Sequence, residues 1–370
     1  MQVQAVQDKK ALDTFLEFPY DHYKNDPYWV PPLRVDIRNQ FNVKKNPFLR
    51  HCDYQLFLLK NNDSVIGRIA AFEDNLASEF WGEQIGLFGY FECIPDQEAA
   101  FELLNAAQKW LLEKGCMRMR GPWSFVSQEW GSVVEGFSPS PVIMGPYNPP
   151  YYNDFYTSYN FKKVKDLLCW YISAEEGYQI PERILKLTDR VAERYQVSIR
   201  PLNLKNYDSE VRTIMDLSNR SIIENWGYSP VTDEEVESMA EELRPIAQSK
   251  AVLFAVDQNG REIGFAIALP DINVLLKSLG GRLFPFGIFK LLLGLPRLTQ
   301  YRMFALGVVP EYQGKAIDSL LYRALHESLF SSNLWMEINY VLEDNWPMIN
   351  AIKKLGATPL RRYRIFEMEI

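Results

Sequence analysis

The chain has 370 residues, more than one ordinary hydrophobic core accommodates, so two domains are expected. Hydrophobic residues make up 47% and charged residues 24%, a globular composition that excludes an intrinsically disordered chain. A net charge of −7 argues against a general nucleic-acid binder, and three histidines with four scattered cysteines give no metal-ligand pattern.

The first fifteen residues, MQVQAVQDKKALDTF, lack the charged-then-apolar order of a signal peptide. No apolar run reaches the roughly 20 residues that a membrane span needs. The expectation is a cytoplasmic protein with reduced thiols, no stable membrane insertion and no nucleic-acid partner.

Taken in order, the first half predicts a strand over 3–6 and a helix over 9–18. Strands over 54–60 and 65–72 flank the turn Asn61-Asn62-Asp63. A strand over 87–94 stops at Pro95, and an amphipathic helix follows over 97–114. The stretch 121–152 is long, non-periodic and rich in Gly, Pro and aromatic residues. In it, Trp123, Trp130, Tyr147, Asn148, Tyr151 and Tyr152 suit either a ligand pocket or a rigid interdomain loop. A connecting helix is expected over 175–194, with Pro181 in its first turn.

The second half repeats this order. A strand over 197–201 and a helix over 207–220 come first. Strands over 251–256 and 262–269 follow, around Asp257-Gln258-Asn259-Gly260. Residues 270–299 are an apolar insertion carrying Lys277, Arg282, Lys290 and Arg297. It suits a lid, a lipid or partner surface, or a segment packed on the first domain. A strand over 302–309 then stops at Pro310, and an amphipathic helix runs over 317–330. Between them lies Gln313-Gly314-Lys315-Ala316. A loop opening directly into a helix offers unpaired N–H groups and the positive end of the helix dipole to a phosphate. No lysine–serine/threonine pair follows the glycine, so this is not a P-loop.

Val309-Pro310-Glu311-Tyr312-Gln313-Gly314-Lys315-Ala316-Ile317 resembles the acyl-CoA-binding motif of the GNAT acetyltransferase superfamily. Asn345 and Leu355-Gly356 match the family's following helix. The element order β-α-β-β-β-α-β-α-β, present twice, is also that of the family. The resemblance implies an α/β (α+β) fold of two tandem GNAT-like domains, each a mixed, mostly antiparallel sheet flanked by helices. The expected domains are 1–174 and 197–370, joined by a helix over 175–196.

Only one CoA site is expected. Pro310 precedes the Leu320-Leu321 pair by ten residues with Gly314 between, whereas Pro95 precedes Leu103-Leu104 by eight with no glycine. Asp96 and Glu98 would also repel a pyrophosphate. The implied co-substrate is acetyl-CoA or another acyl-CoA, held by Leu306, Gly307, Val308, Gln313, Gly314, Lys315, Ala316, Ile317 and Asn345. Asn345 fits a helix N-cap equally well. Two departures from the family pattern are Asp318, a carboxylate near the expected pyrophosphate, and Ile352, where the family often has a tyrosine. Tyr340 and Tyr363 are the nearby alternatives to that tyrosine.

Attack of an amine on a thioester needs a proton acceptor, donors for the oxyanion and alignment. Glu337 and Glu343 are the candidate bases, with Tyr340 as the candidate acid. Glu224, Trp226 and Tyr228 are the candidate acceptor-binding residues. The activity implied is N-acyltransfer, with acetyl the expected group, to a small-molecule or peptide amine by direct attack in a ternary complex, without a metal. A catalytically degenerate CoA-binding or regulatory module, and an aminoacyl- or acyl-carrier-dependent transferase, remain alternatives. The chain is expected to be a monomer or homodimer.

Overall fold

Short runs of consecutive apolar residues build central strands buried on both faces, and the computed structural model describes residues 1–126, 129–285 and 287–370 of the chain. Two compact units emerge. One comprises Met1–Leu167, Asn273–Ile288 and Arg361–Ile370; the other comprises Leu168–Ile272 and Phe289–Leu360. Neither is a continuous stretch, which differs from a division at 174 and 197.

The first stretch of chain forms β1 (Gln2–Ala5), α1 (Lys9–His22), α2 (Arg34–Gln40), β2 (Cys52–Asn61) and β3 (Ser64–Asp74). It continues as α3 (Asn75–Trp81), β4 (Ile85–Cys93), α4 (Gln97–Glu113) and β5 (Arg118–Gly121). β6 (Ser132–Glu135), α5 (Tyr151–Ser158) and β7 (Lys162–Ser173) complete it. The first four strands pair antiparallel in chain order, and β4 pairs with β5 in parallel. Leu103, Leu104, Ala107 and Leu111 of α4 pack on Phe88 and Met119 to form this unit's core.

Next come α6 (Glu182–Tyr195), β8 (Ser198–Pro201), α7 (Tyr207–Ile222), α8 (Asp233–Leu243), β9 (Val252–Val256) and β10 (Glu262–Pro270). The connecting helix starts later than expected. Tyr178 and Gly177 donate to the carbonyls of Ser173 and Ala174 in a turn, and Pro181 is the extended N-cap of α6. Helix α8, which is not among the expected elements, has a reciprocal Thr232–Glu235 capping box.

The insertion contains α9 (Asn273–Leu276) and α10 (Gly287–Gly294). Its residues 273–288 pack into the first unit. The Asn273 amide donates to Pro141 O at 2.9 Å, and Lys277 Nζ donates to Ser140 Oγ at 2.9 Å. The chain ends with β11 (Gln300–Val308), α11 (Ile317–Leu329), β12 (Trp335–Leu342), α12 (Trp346–Leu355) and β13 (Thr358–Glu369). β8, β9, β10 and β11 pair antiparallel in order, and β11 pairs with β12 in parallel. From Arg361 onward β13 belongs to the first unit, pairing with β5 at Phe366↔Gly121 and burying Tyr363, Ile365 and Phe366. The last strand of the second half thus completes the sheet of the first.

Candidate active site

β11 and β12 are registered from Gln300↔Trp335 to Met303↔Ile338. Beyond that pair β11 runs on to Val308 and β12 to Leu342 without further registered partners, so the two strands fork. Past the fork β11 stays paired with β10 at Ala266↔Leu306, Phe265↔Gly307 and Gly264↔Val308. Phe304 is bulged, because Ala305 faces Ile267 and Met303 faces Ala268. A bulge bends a strand and raises its twist, which suits the point where β11 leaves β12.

Strand alternation gives the fork two chemically different faces. On one, Met303, Met336 and Ile338 join Ile172, Tyr178, Ile180, Tyr322, Leu325, His326 and Leu355 around a small recess of about 30 Å³. The lining is almost wholly apolar. Tyr322 donates its hydroxyl to Met348 Sδ, and burial pushes the His326 imidazole below its ordinary pKa, keeping it neutral. The other face carries Arg302, Glu337 and Asn339, all buried. Arg302 Nε donates to Asn339 Oδ1 at 2.7 Å, and Asn339 Nδ2 donates to Glu337 Oε1 at 2.8 Å. The Arg302 guanidinium also lies 5.0 Å from the centre of the Tyr340 ring.

The loop after β11 leads to α11 through Pro310–Tyr312, a single 3₁₀ turn. Gln313 Nε2 donates back to Val308 O at 3.0 Å, fastening the loop to its strand. Gly314 has φ +72°, and a Cβ there would meet nothing within 4 Å. Lys315 Nζ lies 4.5 Å from the Tyr312 ring centre and 5.6 Å from that of Tyr195. Ala316, at φ +58°, is the N-cap of α11 and has no side chain to bond the first-turn amides. These features fit the phosphate end of a phosphopantetheine thioester. Asp318 works against a doubly charged pyrophosphate. Its carboxyl lies in the first turn and is raised above the usual carboxylate pKa by burial.

The first unit has the same elements in closed form. β4 and β5 are registered only from Ile85↔Arg118 to Leu87↔Arg120. The chain after β5 then fills the opening: Trp123 N donates to Phe88 O at 2.8 Å, and a Cβ on Gly89 would lie 1.6 Å from Trp123 O. Asp96 caps α4 itself, accepting from Ala99 N at 3.0 Å. Neither the cleft nor the helix end is left for a ligand there.

The expected site residues fall as follows. Leu306, Gly307, Val308, Gln313, Gly314, Lys315, Ala316 and Ile317 line the edge of the fork and the loop. Gly307 allows α7 to approach β11, since a Cβ there would lie 2.9 Å from Ser221 Oγ. That approach brings 224–228, the turn after α7, toward the same end of β11. Glu224 is exposed, Trp226 half-buried, and Tyr228 donates to Asn219 Oδ1 at 3.2 Å. Glu337 is fully buried within the Arg302–Asn339 chain, whereas Glu343 is half-buried in the turn after β12. Asn345 caps α12, its Oδ1 accepting from Met348 N at 3.2 Å. Ile352 is buried in the core. Tyr363 belongs to the first unit, where its hydroxyl accepts from Arg361 Nη1 at 3.2 Å.

The aromatic segment 121–152 is satisfied within the first unit. Trp123 stacks on Trp130, Asn148 brackets the Val133 backbone, and Tyr152 accepts from Cys93 N at 2.9 Å. Residues 127 and 128 of this segment, and residue 286 of the insertion, lie outside the described residues. Arg302, Asn339, His326 and the methionines of the recess were not anticipated. The one signal was charge inside apolar strands, at Arg302 in β11 and Glu337 in β12.

No family model matches the chain. It is 32% identical over 376 residues to protein YghO of Escherichia coli (strain K12), covering 100% of this chain and 95% of that one. It is 29% identical over 376 residues to the bacterial ceramide synthase of Caulobacter vibrioides, covering 99% and 97%. Among solved structures, a tandem GNAT protein from the clavulanic acid biosynthesis pathway superposes with a TM-score of 0.58 at 13% identity, over 100% of this chain and 98% of that one.

Proposed function

Because the chain belongs to the family of Escherichia coli protein YghO and has the tandem GNAT fold, we propose that it is an N-acyltransferase for long acyl chains. The donor is a long-chain acyl thioester, and the acceptor is the amino group of a long-chain amine of the sphingoid type. The observation that carries this reading is the apolar recess at the apex of the fork, lined by Met303, Met336, Ile338, Tyr322 and Leu325. The recess is small as it stands, so the acyl chain of a thioester lying in the fork would enter it by displacing the flexible side chains of Met303 and Met336, and an acetyl group has no use for it. The name of the Caulobacter vibrioides relative, a ceramide synthase, points to the same chemistry, since a ceramide is the amide of a fatty acid and a sphingoid amine.

In the reaction the neutral amine attacks the thioester carbonyl carbon. The C–N bond forms, the C–S bond breaks, the thiolate leaves, and the amine loses a proton. Backbone N–H groups on the open edge of β11, over Leu306–Val308, are the donors for the carbonyl oxygen. Glu343 at the mouth of the fork is the base. Glu337 is a positioning residue, because full burial in the Arg302–Asn339 chain keeps it from a substrate amine. Tyr340 is a positioning residue by the same argument, since its hydroxyl is buried and its ring lies 5.0 Å from the Arg302 guanidinium, and the thiolate departs as the anion. The donor is coenzyme A or an acyl carrier protein; Asp318 favours the carrier, whose phosphodiester brings less negative charge to α11 than a pyrophosphate does.

The test supplies sphinganine with palmitoyl-CoA, with palmitoyl acyl carrier protein, or with acetyl-CoA, and reads the amide by mass spectrometry. The expected result is N-palmitoyl amide from at least one long-chain donor and at least about tenfold less N-acetyl amide. Acetyl transfer as fast as palmitoyl transfer, or no amide from any donor, overturns the reading.

A further inference from the structure

Helix α10 presents an apolar face to solvent. Phe289, Leu292 and Leu293, spaced i, i+3 and i+4, share one side of it and are 61%, 62% and 68% exposed. Phe284, just before the helix, is 73% exposed. The opposite side is anchored, with Gly287 buried and Ile288 and Leu291 partly so. This reverses the usual order of a surface helix, which turns its apolar stripe inward. Scattered exposed hydrophobics need no explanation, but a contiguous set on one helix marks an interaction surface.

Charge indicates what covers it. Residues 272–310 contain no Asp or Glu, although the whole chain is acidic at −7. The same stretch carries Lys277, Arg282, Lys290 and Arg297. Lys290 and Arg297 are exposed beside the apolar face. Aromatic and leucine side chains flanked by cations match a bilayer interface, where apolar groups enter the acyl boundary and cations meet anionic headgroups. No helix among the described residues is long and apolar enough to cross a membrane.

We propose that α10 docks the protein on the surface of an anionic membrane, with Phe289, Leu292 and Leu293 inserted and Lys290 and Arg297 on the headgroups. The choice of a bilayer over a protein partner rests on the lipid-amine reading above, because such a substrate is held in a membrane. Docking gives the enzyme access to an amine that is scarce in free solution.

The experiment uses the full chain with vesicles of phosphatidylcholine alone or mixed with phosphatidylglycerol, and reads co-sedimentation. The wild type is expected on the anionic vesicles and much less on the neutral ones. The variant Phe289→Ser/Leu292→Ser/Leu293→Ser should lose at least about tenfold in vesicle affinity while keeping its melting temperature, because these side chains are exposed. Lys290→Glu/Arg297→Glu should weaken binding on anionic vesicles only. Equal binding of wild type and the serine variant, or no binding by the wild type, overturns the proposal. So does a wild-type dimer that the serine variant turns monomeric by light scattering, since the face would then join two copies. Amide formation is assayed in parallel with the amine dispersed in detergent. Vesicle binding without amide would remove the functional reading and leave docking standing; amide without vesicle binding would do the reverse.

Discussion

Met303 and Ile338 are the last registered partners of β11 and β12, and the two faces of the fork diverge in chemistry at that pair. Both side chains line the apolar recess, while their neighbours Arg302 and Asn339 are joined by a 2.7 Å hydrogen bond on the opposite face. The apolar recess and the buried Arg302–Asn339–Glu337 chain thereby lie on opposite sides of the same two strands.

If the donor binds at the loop before α11, as proposed, two substitutions there should move its affinity in opposite directions. Asp318→Asn removes a negative charge from the first turn and should tighten CoA binding about fivefold, since two unit charges a few ångströms apart near a surface interact by about 1 kcal/mol or more. Gly314→Glu places a carboxylate on a left-handed backbone at φ +72° and should abolish binding. Isothermal titration with CoA measures both. Unchanged affinity in the two variants would mean that CoA does not use this helix end.

The buried chain Arg302–Asn339–Glu337 should behave as a unit. Arg302→Met leaves Glu337 buried without its cationic neighbour and should cost about 3–5 kcal/mol in chemical unfolding. Adding Glu337→Gln should recover part of that loss. A double-mutant cycle with coupling below about 0.5 kcal/mol would contradict it.

Much of the fold was legible beforehand. The hairpin turns, the proline stops of β4 and β11, and the start of α11 at Ile317 follow from turn residues and periodicity. The contrast between the two helix ends was also legible, because the loop before α4 is shorter, has no glycine and carries Asp96 and Glu98, whereas that before α11 has Gly314. Three features were hidden. The return of β13 to the first unit depends on pairing between residues more than two hundred positions apart, such as Phe366 and Gly121. The plugging of the first fork depends on Trp123 O lying against Gly89, which no local pattern records. The recess depends on which residues of β11, β12 and α11 meet, and a buried Met303 reads like any core residue. Helix α8 carries a local signal of its own, the Thr232 and Glu235 capping box.

Stability should fall on mild acidification. Burial depresses the pKa of His326 in the second unit and of His22 in the first, so the folded protein binds these protons more weakly than the unfolded chain does. Their contribution is complete above the ordinary histidine pKa of about 6.5 and is lost as pH falls through the lower folded values. His326→Phe should flatten the dependence of the melting temperature on pH just below the ordinary histidine pKa, with the remaining acid slope shared by His22 and by the carboxylates Asp166, Asp257 and Glu311, whose pKa values are lowered. An unaltered slope would mean that His326 is already solvated.

The recess is tested most directly by acyl-chain length. Thiol release with sphinganine is measured for acyl donors from acetyl to stearoyl, using the wild type and Met336→Trp. The wild type should prefer long chains, and Met336→Trp should shift the preference to short chains by filling the recess, with little change in the rate for acetyl. A profile in which the tryptophan slows every chain length equally, or none, would contradict a recess that holds the acyl chain.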